Sequence, residues 1–254
     1  AFMRFIIPAG KGCSIPLKLP EDLKPHWHHI EHLEYEHFAC TRSYSLAETS
    51  INTDELVFTI KIQSAPNNVT LPGVGSSYLC NLEQGDIVDA VGPFEEFYAI
   101  KNSKKTMVLL GAGSGMAPLK SLIAEQVAVK SRAGNRTENK VGKNDGAEPR
   151  AIHFFYGART QNDLLYAQYF DELAEQHEHF HYYPVLSQSN DDWKGEKGYI
   201  QQTLFQQFDG LGDVDNIEFY LCGPQLLMTE TIALLKTKGV KDIAIKFDSF
   251  GDNK

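Results

Sequence analysis

Residues 106–129 read TMVLLGAGSGMAPLKSLIAEQVAV, and the architecture of the chain turns on them. The apolar run TMVLLG (106–111) has the length and composition of a buried strand, and APLKSLIAEQVAV (117–129) has helical spacing. Between them stand Gly111, Gly113 and Gly115. Strand, glycine-rich turn and helix in that order open a parallel βαβ unit. The glycines permit a close backbone approach to a phosphate, and Pro118 suits the first turn of a helix whose N-terminus favours an anion. The spacing is not GxGxxG, because the third glycine comes one residue early. Taken alone, the turn is equally compatible with a simple tight turn.

Toward the C-terminus the same grammar repeats. AIHFFYG (151–157), HFHYYPVLS (179–187), IEFYLCG (217–223) and IAIKF (243–247) are strand-like, with helical patterns at 161–176, 199–208 and 224–239. Five strands and four helices define an α/β doubly wound parallel sheet over 104–254. In such sheets ligands sit at the carboxyl ends of strands. There the second strand ends in Tyr156-Gly157-Ala158-Arg159 and the fourth in Cys222-Gly223-Pro224. Singly these are a surface arginine and a buried cysteine. Together with the first turn they make a dinucleotide site. The polar stretch 131–150 reads as a surface excursion.

Toward the N-terminus, residues 1–103 read as short strands broken by Pro and Gly turns: 2–8, 42–46, 56–64, 86–93 and 94–100. That spacing predicts a small antiparallel β-barrel. One of its strands carries Arg42-Ser43-Tyr44-Ser45. In a strand Arg42 and Tyr44 share one face and the two serines the other. A cation, an aromatic plate and a hydroxyl beside a dinucleotide-type sheet fit a flavin: Arg42 for the pyrophosphate, Tyr44 against the isoalloxazine, Ser45 at its N5 edge. Downstream, Gly73, Gly75, Ser76 and Ser77 offer backbone N–H groups and hydroxyls to the same pyrophosphate.

Composition excludes several other classes. Net charge is -9, with 24 Lys and Arg against 33 Asp and Glu, so no strongly basic face for nucleic acid is expected. Cys13, Cys40, Cys80 and Cys222 match no zinc or iron–sulfur spacing, and no metal site is expected. The histidine-rich stretch PHWHHIEHLEYEH (25–37) could place His28 and His32 on one helix face, but HExxH is absent and a solvated loop is the expectation. No apolar run is long enough to span a bilayer, so direct membrane insertion is not expected and a cytoplasmic location is. The strand-like AFMRFIIP at residue 1 reads as the start of a piece of a longer protein.

Taken together, the R-x-Y-S strand, the glycine-serine turn, the G-x-G-x-G-x-A-P loop, the Y-G-A-R strand end and the C-G-P turn resemble the ferredoxin–NADP reductase superfamily. They occur in its order and cover nearly the whole chain. Within it, GAGSGMAP, FYGART, FYLCGPQLLM and FDSFG look most like the flavin and NADH portion of the electron-input subunit of sodium-translocating NADH:quinone oxidoreductases. In that subunit a membrane anchor and a [2Fe–2S] ferredoxin domain precede this region, and neither is found in these residues. The resemblance implies an FAD-binding domain over 1–103 and an NAD(P)H-binding domain over 104–254. It places FAD on Arg42, Tyr44, Ser45, Gly73, Gly75, Ser76 and Ser77, with Lys61 on a strand beside it. It places the nicotinamide nucleotide on Gly113, Gly115, Met116, Pro118, Gly157 and Arg159, with Cys222 near the nicotinamide and Gly223 and Pro224 completing that turn. Phe250 would cover the other flavin face and move aside for the nicotinamide.

The implied reaction is hydride transfer from NADH to flavin N5, followed by single electrons to an iron–sulfur acceptor, with other subunits of a membrane quinone reductase complex as partners and the cytoplasmic face of the bacterial inner membrane as location. NADPH-using members place Ser-Arg after the third strand. Here Gln188 follows Ser187, Asp191 and Asp192 come next, and only Lys197-Gly198-Tyr199 keeps a phosphate-binding pattern, so NADH is favoured. Two other readings stay open. The reductase component of an oxygenase differs only in its acceptor. A nucleotide-sensing module without redox chemistry would bind NADH and no flavin.

Overall fold

The computed structural model describes residues 1–22, 24–49, 55–65, 70–134 and 149–250, without the side chains of residues 26, 49, 128–134, 249 and 250. The chain divides into two compact units, Ala1–Leu46 with Val57–Glu95, and Ala47–Leu56 with Glu96–Lys254.

The first unit is built on β1 (Phe2–Ile7), β2 (Gly10–Cys13), α1 (Lys24–Trp27), β3 (Glu34–His37), β4 (Cys40–Thr49), β5 (Leu56–Phe58), α2 (Val74–Cys80) and β6 (Asp89–Phe94). Its main sheet has the order β5-β4-β1-β6, and β2 and β3 form a separate antiparallel ribbon. Among the described residues this hydrogen bonding does not close into one ring. β1 runs antiparallel to both neighbours, with Phe5 opposite Arg42 on β4 and Ala90 on β6. Phe5 and Ile7 are buried while Arg4 and Ile6 are exposed, the alternation of a sheet with one covered face. Ile15, Ile30 and Ile62 form a small core on which Leu19, Trp27 and Cys80 pack.

Several expectations are corrected here. The run 94–100 forms no strand beyond Phe94, and of 56–64 only Leu56–Phe58 is strand. Glu95 and Glu96 are exposed, and Phe97 is anchored in the core of the second unit instead of pairing with a strand. The histidine-rich stretch is not one loop: it begins in α1 and ends in β3, and because α1 stops at Trp27, His28 and His32 do not share a helix.

The second unit carries β7 (Thr106–Ala112), α3 (Met116–Gly134), β8 (Ile152–Ala158), α4 (Ala167–Gln176), β9 (Phe180–Leu186), β10 (Glu196–Lys197), α5 (Ile200–Gln207), β11 (Ile217–Pro224), α6 (Gln225–Thr237) and β12 (Ile245–Phe250). The sheet order is β10-β9-β8-β7-β11-β12, and every pairing is parallel. The first strand in sequence, β7, is central, and the chain winds away from it in both directions. The switch point therefore falls between β7 and β11.

Both faces of this sheet are covered. One core gathers Met107, Leu109, Phe154, Tyr156, Phe170 and Tyr220, the other Val108, Leu110, Phe155, Ile200, Phe219 and Leu235. Successive residues of β7 thus enter opposite cores, which is why buried parallel strands read as unbroken apolar runs. At the opposite edge from the strand carboxyl ends, Arg150 Nη1 donates to Glu218 Oε2 at 3.0 Å, both side chains 5% exposed. The Tyr220 hydroxyl donates to the same oxygen at 2.9 Å and Ser103 Oγ to Oε1 at 2.5 Å. The buried charge pair is thereby fully hydrogen-bonded on the carboxylate side.

Candidate functional site

The carboxyl edge of the second unit's sheet brings several predicted residues together. β7 runs into the turn Gly113–Gly115, and α3 begins at Met116, which is fully buried. Gly113 has φ +56°, a left-handed conformation that favours glycine. A Cβ on Gly115 would lie 2.2 Å from the Cys222 carbonyl oxygen. Only glycine lets the β7–α3 turn lie against the end of β11. Pro118 falls in the first turn of α3, where its missing N–H costs nothing.

Cys222 lies in register with Gly111 on β7 and Asp248 on β12. Burial, reinforced by Asp248, pushes its thiol pKa well up, so the sulfur stays protonated and neutral. Asp248 was not singled out from the sequence. Burial, and then Glu96, raise its pKa above the ordinary carboxylate value. The one signal for it is an acidic residue two before the aromatic of FDSFG. Phe250 pairs with Pro224 along the backbone, but its side chain lies outside the described residues.

At the next strand ends, Gln188 N donates to the Arg159 carbonyl at 2.8 Å and Ser187 N to that of Ala158 at 3.0 Å. Arg159, Gln188, Lys197 and Tyr199 are all exposed. Gly157 faces α5: a Cβ there would meet Ile200 Cγ2 at 2.7 Å, so its need for glycine comes from helix packing. Lys120 was also missed. It is buried, pairs with Glu48 Oε2 at 3.4 Å and lies 4.9 and 4.8 Å from the Tyr166 and Tyr169 ring centres, where the rings' negative faces offset its lost hydration. Nothing in an isolated lysine inside a helical pattern reveals this.

In the first unit, Arg42 and Tyr44 share one face of β4, as alternation requires. A Cβ on Gly75 of α2 would lie 2.6 Å from Arg42 Cγ and 2.8 Å from the Tyr44 hydroxyl, so α2 sits directly on this pair. Burial pushes the Tyr44 phenol up to about 12, with Cys80 adding to the rise and Arg42 opposing it. The Arg42 guanidinium is exposed and uses one N–H on the Thr41 carbonyl at 2.8 Å, leaving other donors for an anion. Gly73 N donates to the Gln63 carbonyl at 2.8 Å, and Ser76 Oγ donates to the Gly73 carbonyl at 2.9 Å. Ser45 is half-buried. Two expected residues are not brought in. Lys61 is exposed and lies beyond the end of β5. The Ser77 side chain is on the other face of α2, lining a cavity against the β2–β3 ribbon.

The comparisons narrow the class: residues 109–232 match the family described as Oxidoreductase NAD-binding domain. The chain's relatives narrow it further. The chain is 36% identical over 217 residues to a Na(+)-translocating NADH-quinone reductase subunit, the one lettered F, of Idiomarina loihiensis, covering 83% of this chain and 48% of the relative. With the corresponding subunit of Shewanella denitrificans it shares 33% over 260 residues, covering 98% and 59%. The chain spans about half the length of the curated relatives it matches. Among solved structures, the FAD/NAD binding domain of nitric oxide dioxygenase from Vibrio cholerae superposes with TM-score 0.67 at 20% identity, covering 99% of this chain and 84% of that one. Ferredoxin-NADP+ reductase from Plasmodium falciparum does so with TM-score 0.64 at 18% identity, covering 98% and 82%. The fold is that of the ferredoxin–NADP reductases, and no helix among the described residues is long and apolar enough to cross a membrane.

Proposed function

We propose that the chain is an FAD-dependent NADH oxidoreductase that passes electrons singly to an iron–sulfur acceptor, within a complex of the kind its relatives are named for. The observation that carries this reading is the switch point. Gly113, Gly115, Cys222 and Gly223 all lie at the carboxyl edge between β7 and β11, where open parallel sheets bind ligands. Both cofactors fit the residues present. Gly113 leaves open space beside the β7–α3 turn for a phosphate, and Arg42 spends one N–H on the Thr41 carbonyl and keeps its other donors for a pyrophosphate. When bound, the nicotinamide supplies a hydride and the flavin accepts it and divides it into single electrons.

The chain's own residues position and insulate. Arg42 binds the flavin's charge, Tyr44 offers a ring and Ser45 a hydroxyl at the ring edge. Gly113, Gly115, Met116 and Pro118 form the nicotinamide-nucleotide turn, and Cys222 presents a neutral, protonated sulfur rather than a nucleophile. Gln188 in place of an arginine, followed by Asp191 and Asp192, supports NADH over NADPH. Association with the cytoplasmic face of a bacterial inner membrane belongs to the same reading.

The test is an anaerobic visible spectrum of the chain supplied with FAD, titrated with NADH and with NADPH. Bleaching of bound flavin by NADH at lower concentration than by NADPH is expected. Arg42→Ala should weaken FAD binding about tenfold or more, the value of a charge-assisted hydrogen bond. A folded chain that binds NADH and stays colourless in FAD would replace this reading with the nucleotide-sensing one.

A further inference from the structure

Lys120 has no part in the cofactor assignments, although it follows Pro118 closely in α3, near the carboxyl edge of the sheet. Only 4% of it is exposed. Its Nζ meets Glu48 Oε2 at 3.4 Å and the ring faces of Tyr166 and Tyr169, 4.9 and 4.8 Å from their centroids. Burying an ammonium costs free energy that such partners offset. An apolar side chain of similar length would fill the same space without that cost, so packing alone gives no reason for a charge here.

Tyr166 gives one. At the N-cap of α4 it has φ +58° and ψ +26°, a left-handed conformation that is strained for a bulky side chain. Glycine would adopt it without strain, but would bring no ring to Lys120. Tyr166 also ends the connection that starts at Arg159, the cation assigned beside the coenzyme. That connection is held along its length. Gln188 N donates to the Arg159 carbonyl at 2.8 Å, Thr160 Oγ1 to Asp163 Oδ2 at 2.8 Å, and Leu165 N to the hydroxyl of the buried Tyr156 at 3.2 Å. Lys120 fastens its far end to α3, whose own start is fixed by the turn Gly113–Gly115. Two strand-end segments assigned to the coenzyme, one after β7 and one after β8, are thus braced through one ammonium.

We propose that Lys120 is a positioning residue of the nicotinamide-nucleotide site that acts through Arg159: its clasp on Tyr166 sets where the Arg159 connection lies against the β7–α3 turn. This role rests on the coenzyme reading given above. It is open to mutation because the Glu48 side chain is 54% exposed, so removing the lysine strands no buried carboxylate.

The experiment is a double-mutant cycle on the FAD-supplied chain, read as the dissociation constant of tetrahydro-NAD, an NADH analogue that cannot transfer hydride, in equilibrium dialysis. Lys120→Met weakens binding about tenfold and leaves FAD content unchanged. Lys120→Arg, whose planar cation also stacks on rings, stays within about threefold of the parent. Arg159→Ala weakens the parent about tenfold but the Lys120→Met chain less than about twofold, because the arginine there is no longer held in place. Loss of a contact that only stabilises the fold would leave the two effects additive. Tyr166→Gly keeps the backbone angle, removes the ring and reproduces Lys120→Met, and it takes that variant's place if circular dichroism shows Lys120→Met unfolded. Additive effects in the cycle, or equal affinity in the parent and a folded Lys120→Met, overturn the proposal and leave the coenzyme reading standing. A parent chain that binds no analogue overturns both.

Discussion

The second unit hides its sheet between two extended cores, whereas the first keeps one face of its sheet exposed and gathers a three-isoleucine cluster beneath its irregular segments. The two units therefore draw their order from different sources. Buried parallel strands hold themselves by apolar area, at roughly 25 cal/mol per Å². The first unit has less of that area and is held by correspondingly less apolar burial.

The largest effect should come from cutting into the stronger side of this contrast. Phe154 is fully buried and its ring lies within 5.7 Å of those of Tyr156, Phe170 and Tyr182. Phe154→Ala is expected to cost about 3–5 kcal/mol in denaturant unfolding. Ile62→Ala in the first unit's small cluster should cost nearer about 2 kcal/mol, the low end for such a truncation. Equal losses would erase the contrast.

The next effect concerns the buried Arg150–Glu218 pair of the second unit. Arg150→Met strands the Glu218 carboxylate and should cost about 3 kcal/mol. Adding Glu218→Leu should recover at least half of that loss, because the penalty lies in the unpaired charge. A double variant as unstable as the single one would show that Ser103 and Tyr220 need the carboxylate for themselves.

The smallest is a pH dependence. Burial, with His181 adding to it, lowers the His153 pKa from 6.5 to about 4. The unfolded chain therefore takes up its proton first as pH falls, so stability is full above about 6.5 and declines toward about 4. His153 Nδ1 lies 3.2 Å from the Tyr183 hydroxyl. His153→Phe should flatten the slope between those pH values in thermal melts. An unchanged slope would place the titration elsewhere.

The same contrast explains what could be read in advance. β7, β8 and β11 are nearly continuous apolar runs because both their faces are covered, so each was visible, whereas β9 and β12 were visible from their β-branched and aromatic residues although His181 and Phe247 are exposed. β10 was not, being Glu196 and Lys197, both exposed. The β2–β3 ribbon escaped for a related reason: GKGC and EYEH show no apolar alternation, and their pairing depends on contacts far along the chain. Of the candidate residues, Arg42 and Tyr44 were legible because strand alternation is local. Ser77 was misplaced because a helix turns successive residues away from one another. Lys120 and Asp248 depend on which rings and carboxylates other elements bring, and spacing carries no record of that.

The contact between Gly115 and the Cys222 carbonyl has a practical side for engineering. The β7–α3 turn and the β11–α6 turn lie far apart in the sequence, yet neither can change shape without the other. A chimera that imports a relative's glycine loop to alter coenzyme choice must bring its partner turn as well. Libraries that randomise the two segments separately would mostly sample chains in which the pieces no longer mesh.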